Sequence, residues 1–196
     1  MTTNIIITGI GGQGIIFVAD KLRRALIEAG FQIAGYDHRG GAQRLGHVAA
    51  IIRAFPPGTE NLAPEIPIEG CDILISLEAS EGLRFSQVIG RQTEVTCCPR
   101  LVIPTNQRRT GGSYPSLEEC RTFYRKQARC LIEHEFEKLA MDKFGKAIYA
   151  NMIALGTAMA NHSMEDVALA VAAELPSLAR RALEFGLTLH QMEDSV

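Results

Sequence analysis

A strand followed by a glycine-rich turn and a helix, at the start of the chain, constrains the fold more than any other feature. The run Asn4–Thr8 is apolar and rich in β-branched residues, which is typical of a strand buried on both faces. The sequence GIGGQG (residues 9–14) follows it, and apolar residues then recur at helical spacing as far as Ala29. Such a turn is typical of open α/β sheets, where it brings bare N–H groups close to the phosphates of a ligand.

The rest of the chain continues to alternate between strand and helix patterns. Strands are predicted over residues 31–36, 47–55, 72–77, 93–98 and 130–134, and helices over residues 79–89, 116–128 and most of the chain from 146 onwards. Ser116 and Glu119 have the spacing of a capping box at a helix start. The alternation predicts an α/β fold, with a Rossmann-like parallel sheet covered by helices on both faces. We expect residues 1–145 to form this sheet domain and residues 146–196 to form its helical C-terminal cap.

Composition narrows the classes of function. The 196 residues suit one domain, and the net charge of −2 argues against a nucleic-acid binder, which is usually basic. The sequence has no run of 18 apolar residues and no signal-peptide pattern at its N-terminus, so we expect a cytoplasmic protein that does not span a membrane. Its five cysteines include no CxxC pair, so we expect reduced thiols and neither a zinc site nor an iron–sulfur cluster.

Two functional interpretations of the glycine turn, and a structural one, remain open at this point. Glycines at positions 9, 11 and 14 give the pattern GxGxxG, and Asp37 follows near the end of the next predicted strand, where a dinucleotide-binding fold places its ribose-binding acid. This favours a stand-alone NAD(P)-dependent reductase or a nucleotide-sensing module. The same glycines also suit a purely structural role, in which they let the helix pack closely on the sheet.

A second loop carries the side chains that suit an anion. Residues 38–47 (HRGGAQRLGH) follow the second predicted strand and combine glycines with two guanidinium groups and a glutamine. The planar guanidinium of arginine can form two parallel hydrogen bonds with a carboxylate or phosphate. Arg39 and Arg44 are therefore candidate ligand contacts. Arg108 and Arg109 lie in the loop after the fifth strand, at the same sheet edge if the strands are parallel. A solvated turn with surface arginines is the alternative interpretation.

The pair GIGGQG and GGAQR, at this spacing, resembles the gamma-type subunit of 2-oxoacid:ferredoxin oxidoreductases, and most closely the beta subunit of the indolepyruvate type. Two further segments are similar to that family. CDILISLEASEGLR (residues 71–84) resembles its strand and turn, with Glu78 at the turn, and AIYANMIALGTAM (residues 147–159) resembles its Asn-x-x-x-Leu-Gly helix, matched by Asn151, Leu155 and Gly156. The resemblance covers nearly the whole chain.

The resemblance implies a function for the whole complex and a smaller role for this chain. Enzymes of that family oxidatively decarboxylate a 2-oxoacid, transfer the acyl group to coenzyme A and reduce ferredoxin, using thiamine diphosphate and iron–sulfur clusters. This sequence has neither a thiamine motif nor cluster cysteines. The resemblance therefore implies that a larger partner subunit carries both cofactors, and that this chain binds none alone and is inactive alone.

In that interpretation the chain completes the active-site cleft for an indolepyruvate or another aryl-pyruvate. No residue is identified as catalytic. The candidate contacts for the substrate or coenzyme A are Gly11, Gly12, Gln13, Gly14, Arg39, Gly40, Gly41, Gln43, Arg44, Arg108, Arg109 and Asn151.

Overall fold

In the computed structural model, which describes residues 1–40, 46–103 and 114–193, six strands form one mixed sheet. The strands are β1 (Thr3–Ile10), β2 (Gln32–Arg39), β3 (His47–Phe55), β4 (Ile73–Ser76), β5 (Glu94–Cys97) and β6 (Cys130–Glu133). Their order in the sheet is β2-β3-β1-β4-β5-β6. All six strands predicted from the sequence are present, and their ends differ from the predicted ends by up to three residues.

The α/β class is confirmed, but the sheet is mixed. The prediction of a wholly parallel sheet is therefore wrong. β1, β4, β5 and β6 pair in parallel, whereas β3 pairs antiparallel with both β1 and β2. Residues 40–46 are too few for the helical crossover that a parallel β2–β3 pair would need, so the chain turns back on itself instead. As a result, β3 separates β1 from β2.

Six α-helices are described: α1 (Ile15–Glu28), α2 (Leu117–Gln127), α3 (Phe136–Phe144), α4 (Ala150–Asn161), α5 (Glu165–Ala173) and α6 (Ser177–Glu193). α2 begins at the predicted capping box, since the Ser116 Oγ accepts the Glu119 N–H at 3.2 Å and the Glu119 carboxylate accepts the Ser116 N–H at 2.7 Å. Short 3₁₀ turns lie at Gly82–Phe85 and Ala147–Tyr149.

The helix predicted over residues 79–89 is wrong. Only the 3₁₀ turn at Gly82–Phe85 forms there, because side chains compete for the backbone groups that a helix would use. The Glu78 carboxylate accepts the Glu81 N–H, and the Ser76 hydroxyl donates to the Glu78 carbonyl. A Cβ on Gly82 would lie 2.3 Å from the Tyr124 hydroxyl oxygen, so this segment packs directly against α2.

Helices cover both faces of the sheet, as predicted. On one face α1 and the C-terminal helices enclose a core that includes Ile5, Ile75, Leu22 and Leu155. On the other, α2 packs over a smaller core that includes Ile6, Leu74, Val95, Cys97, Cys120 and Tyr124. α4 is buried along almost its whole length, since it lies between the sheet and α6. The C-terminal helices therefore share one core with the sheet.

Candidate functional site

The glycine turn links the carboxyl end of β1 to the first residue of α1. Gly14 is the N-cap of α1 and has a left-handed backbone with φ +73°, a conformation that favours glycine. Gly12 also has a positive φ, +97°, and a Cβ built on it would meet nothing within 4 Å. The Gly11 N–H donates to the Gly46 carbonyl at 2.8 Å, which ties the turn to the segment just before β3. The turn therefore presents bare backbone at Gly12, beside the start of a helix.

Gln13 turns its side chain into the protein. Its Oε1 accepts the Ile10 N–H at 2.8 Å, and its Nε2 donates to the Leu77 carbonyl at 2.9 Å. Asn151 on α4 completes the arrangement, because its Nδ2 donates to the Gln13 carbonyl at 3.0 Å. The structure thus brings two candidate side chains together with the glycine turn, and the bonds of both serve to hold the turn in place.

A cleft of about 520 Å³ opens beside the turn, and we call it the glycine cleft. It combines the bare backbone of the turn with the end of β2, and its lining includes Gly11, Gly12, Gly14, Phe17, Arg39 and Gly40. The Arg39 side chain is 68% exposed, and among the described residues its ion pair is a long contact of 3.9 Å with Asp37. Five of the candidate residues therefore line one cleft, with a guanidinium free to turn toward a ligand.

Five other candidates lie outside the residues that the structure describes. These are Gly41, Gln43, Arg44, Arg108 and Arg109.

A smaller cavity of about 140 Å³ lies on the other side of the turn. Its lining includes Gly12, Gln13, Leu77, Cys98, Phe136 and Glu137. Burial raises the pKa of the Cys98 thiol to about 11, so this group stays protonated at neutral pH and is a poor nucleophile. Cys71, Cys97 and Cys120 are likewise buried and free, and Cys130 is partly buried and free.

A pair of buried carboxylates at the end of β4 is the feature that sequence reasoning undervalued. Glu78 is completely buried, and its carboxylate accepts from the Val102 N–H at 2.8 Å, the Glu81 N–H at 2.9 Å, the Ser80 hydroxyl at 2.8 Å and the Tyr114 hydroxyl at 3.3 Å. Within the described part of the chain, hydrogen bonds rather than an ion pair satisfy this buried carboxyl group. Glu78 thereby ties Val102 and Tyr114, which flank residues 103–113, to the turn after β4.

The second buried carboxylate, Glu81, forms an ion pair with Arg84 and a hydrogen bond with His47. It accepts from the Arg84 Nε at 2.8 Å and makes a short hydrogen bond with the His47 Nδ1. Burial acts to raise the pKa of Glu81, but the hydrogen bonds from His47 and Arg84 outweigh it and leave the pKa below its usual value. Glu81 is therefore ionised at neutral pH. The spacing Glu78-x-x-Glu81-x-x-Arg84 was the only sequence signal for this group, and nothing in it pointed to His47.

The dinucleotide fingerprint is not assembled. β3 lies between β1 and β2, so Asp37 is two strands away from the glycine turn. Its carboxylate is also occupied, since it accepts from the Arg23 guanidinium at 2.6 Å. The arrangement that would hold a ribose next to the glycine turn is therefore missing.

Neither a metal cluster nor a membrane span is found in the described part of the chain. Across residues 1–40, 46–103 and 114–193, no three His, Cys, Asp or Glu side chains come together as a metal site would require. Within the same ranges, no helix has the length and apolarity to cross a membrane.

The fold and the site together define an α/β protein with a mixed sheet. Its glycine turn opens on a cleft whose backbone and arginine suit an anion, and the acidic residue of a dinucleotide-binding fold does not lie beside that turn. The profile of the family described as "Pyruvate ferredoxin/flavodoxin oxidoreductase" matches residues 4–187. The chain belongs to this family, and it is a subunit of a 2-oxoacid oxidoreductase complex.

Individual relatives agree with this assignment. The chain is 30% identical over 164 residues to the indolepyruvate oxidoreductase subunit IorB of Archaeoglobus fulgidus, covering 84% of this chain and 79% of the relative. Its fold is similar to that of the gamma subunit of a keto/oxoacid ferredoxin oxidoreductase from Geobacter sulfurreducens, with a TM-score of 0.66 and 19% identity over 97% of this chain and 99% of the other.

A third comparison concerns a longer chain. The 2-oxoglutarate:ferredoxin oxidoreductase from Magnetococcus marinus, solved with 2-oxoglutarate, coenzyme A and succinyl-CoA bound, has a TM-score of 0.66 and 17% identity to this chain. The match covers 97% of this chain and 31% of that one, so the same fold forms part of a larger polypeptide there.

Proposed function

We propose that this chain completes, beside a larger subunit, the cleft in which an aryl-pyruvate of the indolepyruvate type is oxidatively decarboxylated and its acyl group is passed to coenzyme A. The larger subunit carries thiamine diphosphate and the iron–sulfur clusters, and ferredoxin takes the electrons from the complex. Residues 146–196 act as the helical cap of the 1–145 domain. The substrate assignment is supported by the name of the Archaeoglobus relative, and coenzyme A by the ligands bound to the Magnetococcus enzyme.

The glycine cleft is the observation that carries the proposal. Its floor is the glycine backbone, in which the Gly11 N–H is bonded to the Gly46 carbonyl and Gly12 is bare, its wall is the start of α1, and Arg39 lines it at the end of β2. Backbone N–H groups at a helix start and a guanidinium are the groups that bind phosphate oxygens best. Coenzyme A carries such phosphates, whereas the reacting end of a 2-oxoacid is held close to the thiamine on the partner. We therefore assign the cleft to the nucleotide end of coenzyme A.

The remaining candidate residues extend the same site in this proposal. Gly41, Gln43 and Arg44 continue the chain from the end of β2 toward β3, and Arg108 and Arg109 belong to the segment whose flanks Glu78 holds. Gln13 and Asn151 keep the turn in position rather than contact the ligand.

The test is reconstitution with a partner. An affinity-tagged chain is purified from its native host, and the large subunit that accompanies it is analysed for thiamine diphosphate and iron. The complex is then assayed for acyl-CoA formation from indolepyruvate, phenylpyruvate and pyruvate, with ferredoxin as acceptor. We expect activity with the aryl-pyruvates from the complex and none from the isolated chain. Activity of the isolated chain, or a purified complex that forms no acyl-CoA from any 2-oxoacid, would contradict the proposal.

A further inference from the structure

The cavity of about 140 Å³ beside the glycine turn lies at the carboxyl ends of the four parallel strands, and we call it the apolar cavity. The segments that follow β1, β4, β5 and β6 each contribute to its lining, with Gln13, Leu77, Cys98 and Phe136 respectively. Open α/β sheets bind ligands outside the carboxyl ends of strands, where neighbouring connections leave toward opposite faces. β1 and β4 are such neighbours, because α1 packs on one face of the sheet and the segment after β4 packs on the other. The apolar cavity therefore has the position of a ligand site.

The inner part of the apolar cavity consists of buried apolar side chains. Leu77, Phe136 and Ala150 are buried, whereas Ala147 and Ile148 line the cavity from exposed positions. An apolar protein cavity of about 150 Å³, lined by Leu, Ile and Phe, stays dry and binds a small apolar molecule such as benzene. A hydrocarbon group of a ligand is therefore better suited to this cavity than water is.

Gly12 connects the apolar cavity to the glycine cleft, since it lines both. A Cβ on Gly12 would meet nothing within 4 Å, so the space above the turn is open at this residue. A ligand that occupies the glycine cleft can therefore continue across the backbone of Gly12 into the apolar cavity. The two cavities form neighbouring halves of one site for an elongated ligand.

Glu137 supplies a hydrogen-bond acceptor at the side of the apolar cavity. Its Oε2 accepts a short hydrogen bond from the Arg100 guanidinium, and its Oε1 accepts from the Gln13 Nε2 at a long 3.4 Å. A carboxylate has about four lone-pair positions, so these two donors leave room for another. The apolar cavity can thus hold a hydrocarbon group and bind a neighbouring N–H of the same ligand.

We propose that the apolar cavity binds the pantetheine arm of coenzyme A. This inference rests on the proposed function, which assigns the glycine cleft to the nucleotide end of the same molecule. The arm begins with a carbon that carries two methyl groups, and two amides follow it before the thiol. It crosses the turn at Gly12, its methyl groups pack on Leu77 and Phe136, and an amide N–H donates to the Glu137 carboxylate. The arm is thereby held along the carboxyl edge of the sheet, with its thiol end leading out toward the partner subunit.

The test fills the apolar cavity in the assembled complex and compares coenzyme A with ADP, which has the diphosphate but no arm. Ala147→Phe places a ring at the exposed rim of the cavity without replacing a core residue. We expect it to raise KM for coenzyme A about tenfold, the effect of losing the burial of two methyl groups. The inhibition constant of ADP should stay within twofold of the wild-type value. Ala173→Phe, at an exposed alanine that ends α5 and does not line the cavity, is the matched control and should change neither constant.

A second variant tests the hydrogen bond to the arm. Glu137→Ala removes the acceptor, and we expect it to raise KM for coenzyme A about tenfold, as for the loss of a hydrogen bond to a charged group. It should also leave ADP inhibition unchanged. Arg39→Ala provides the opposite pattern, because Arg39 lines the glycine cleft and its loss should weaken ADP as well as coenzyme A. Gel filtration and thermal melting show which variant complexes are assembled, and the constants are compared for those.

The outcomes separate a failure of this inference from a failure of the proposed function. If ADP inhibits the wild-type complex but Ala147→Phe and Glu137→Ala both leave KM for coenzyme A within twofold, the arm does not enter the apolar cavity. If Ala147→Phe raises KM for the aryl-pyruvate and not KM for coenzyme A, the cavity binds the ring of the 2-oxoacid and the inference is wrong. A wild-type complex that forms no acyl-CoA from any 2-oxoacid overturns the proposed function itself.

Discussion

Asn151 on α4 donates its Nδ2 to the main-chain carbonyl of Gln13 at 3.0 Å, across 138 residues of sequence. The bond links the C-terminal helices directly to the turn between β1 and α1. Asn151 is buried, and its Nδ2 also lies where a side chain on Gly14 would go, 2.4 Å from the place that a Cβ would take. One amide thus both holds the glycine turn and requires a glycine within it.

Replacing Asn151 with alanine should therefore destabilise the protein. The change leaves the Gln13 carbonyl without its donor in a partly buried place, which costs about 1–3 kcal/mol. The free energy of unfolding, measured by urea titration, is the readout. Asn161→Ala in the same helix is the control, because the hydrogen bond that the Asn161 side chain makes among the described residues is a long one of 3.5 Å to the Cys130 sulfur. Equal losses in the two variants would show that the Gln13 bond contributes nothing specific.

Gly14→Ala should cost more than an ordinary glycine replacement. Gly14 and Gly30 both have a left-handed φ, so an alanine at either one adds about 1–2 kcal/mol of backbone strain. At Gly30 the new Cβ would meet nothing within 4 Å, but at Gly14 it would clash with Asn151. We expect Gly14→Ala to be about 1–3 kcal/mol less stable than Gly30→Ala, the usual range for overpacking. The double variant with Asn151→Ala should recover part of that difference; no recovery would contradict the clash.

The local parts of this fold were predictable because neighbouring residues determine them. The β1–glycine–α1 unit, the capping box at Ser116 and the burial of four cysteines all follow from short patterns. The direction of β3 was also implied by the shortness of residues 40–46, although the alternation of strands and helices suggested a parallel sheet. The segment after β4 was mispredicted because its apolar spacing is helical while the Glu78 carboxylate binds the backbone instead.

The candidate site also has parts that were predictable from the sequence and parts that were not. Gly11, Gly12, Gly14, Arg39 and Gly40 line one cleft, since loops at the carboxyl ends of strands meet there, and their contact with a ligand stays a prediction. The contacts of His47 with Glu81 were not predictable, because they join residues 34 positions apart and depend on the antiparallel return of β3. The role of Gln13 was not predictable either, because a glutamine at this position can turn its amide into the protein or toward a ligand, and the sequence is the same in both cases.

Arg39→Ala should weaken coenzyme A binding in the assembled complex. Loss of one charge-assisted contact costs about 1.5–3 kcal/mol, which corresponds to roughly a 10- to 150-fold higher KM for coenzyme A. Arg39 is exposed, and among the described residues its ion pair is the 3.9 Å contact with Asp37, so its removal should leave the melting temperature unchanged. The control is Arg91→Ala, an exposed arginine just before β5 at the opposite edge of the sheet. If KM for coenzyme A stays within twofold in both variants, Arg39 is an ordinary surface charge.

The stability contributed by Glu81 should disappear in acid. Burial acts to raise the pKa of Glu81 in the folded protein, but the hydrogen bonds from His47 and Arg84 outweigh it and lower the pKa. In the unfolded chain this glutamate has the ordinary pKa of about 4.3. A depressed pKa contributes stability that is present above the unfolded value and is lost as the pH falls through the folded one. The difference in unfolding free energy between the wild type and Glu81→Gln, measured in urea from pH 7 to pH 3, should therefore shrink below about pH 5. Glu119 and Glu174 also have lowered pKa values, but they are present in both proteins and cancel in the subtraction. A difference that is constant across this range would show that Glu81 titrates alike in the folded and unfolded chains.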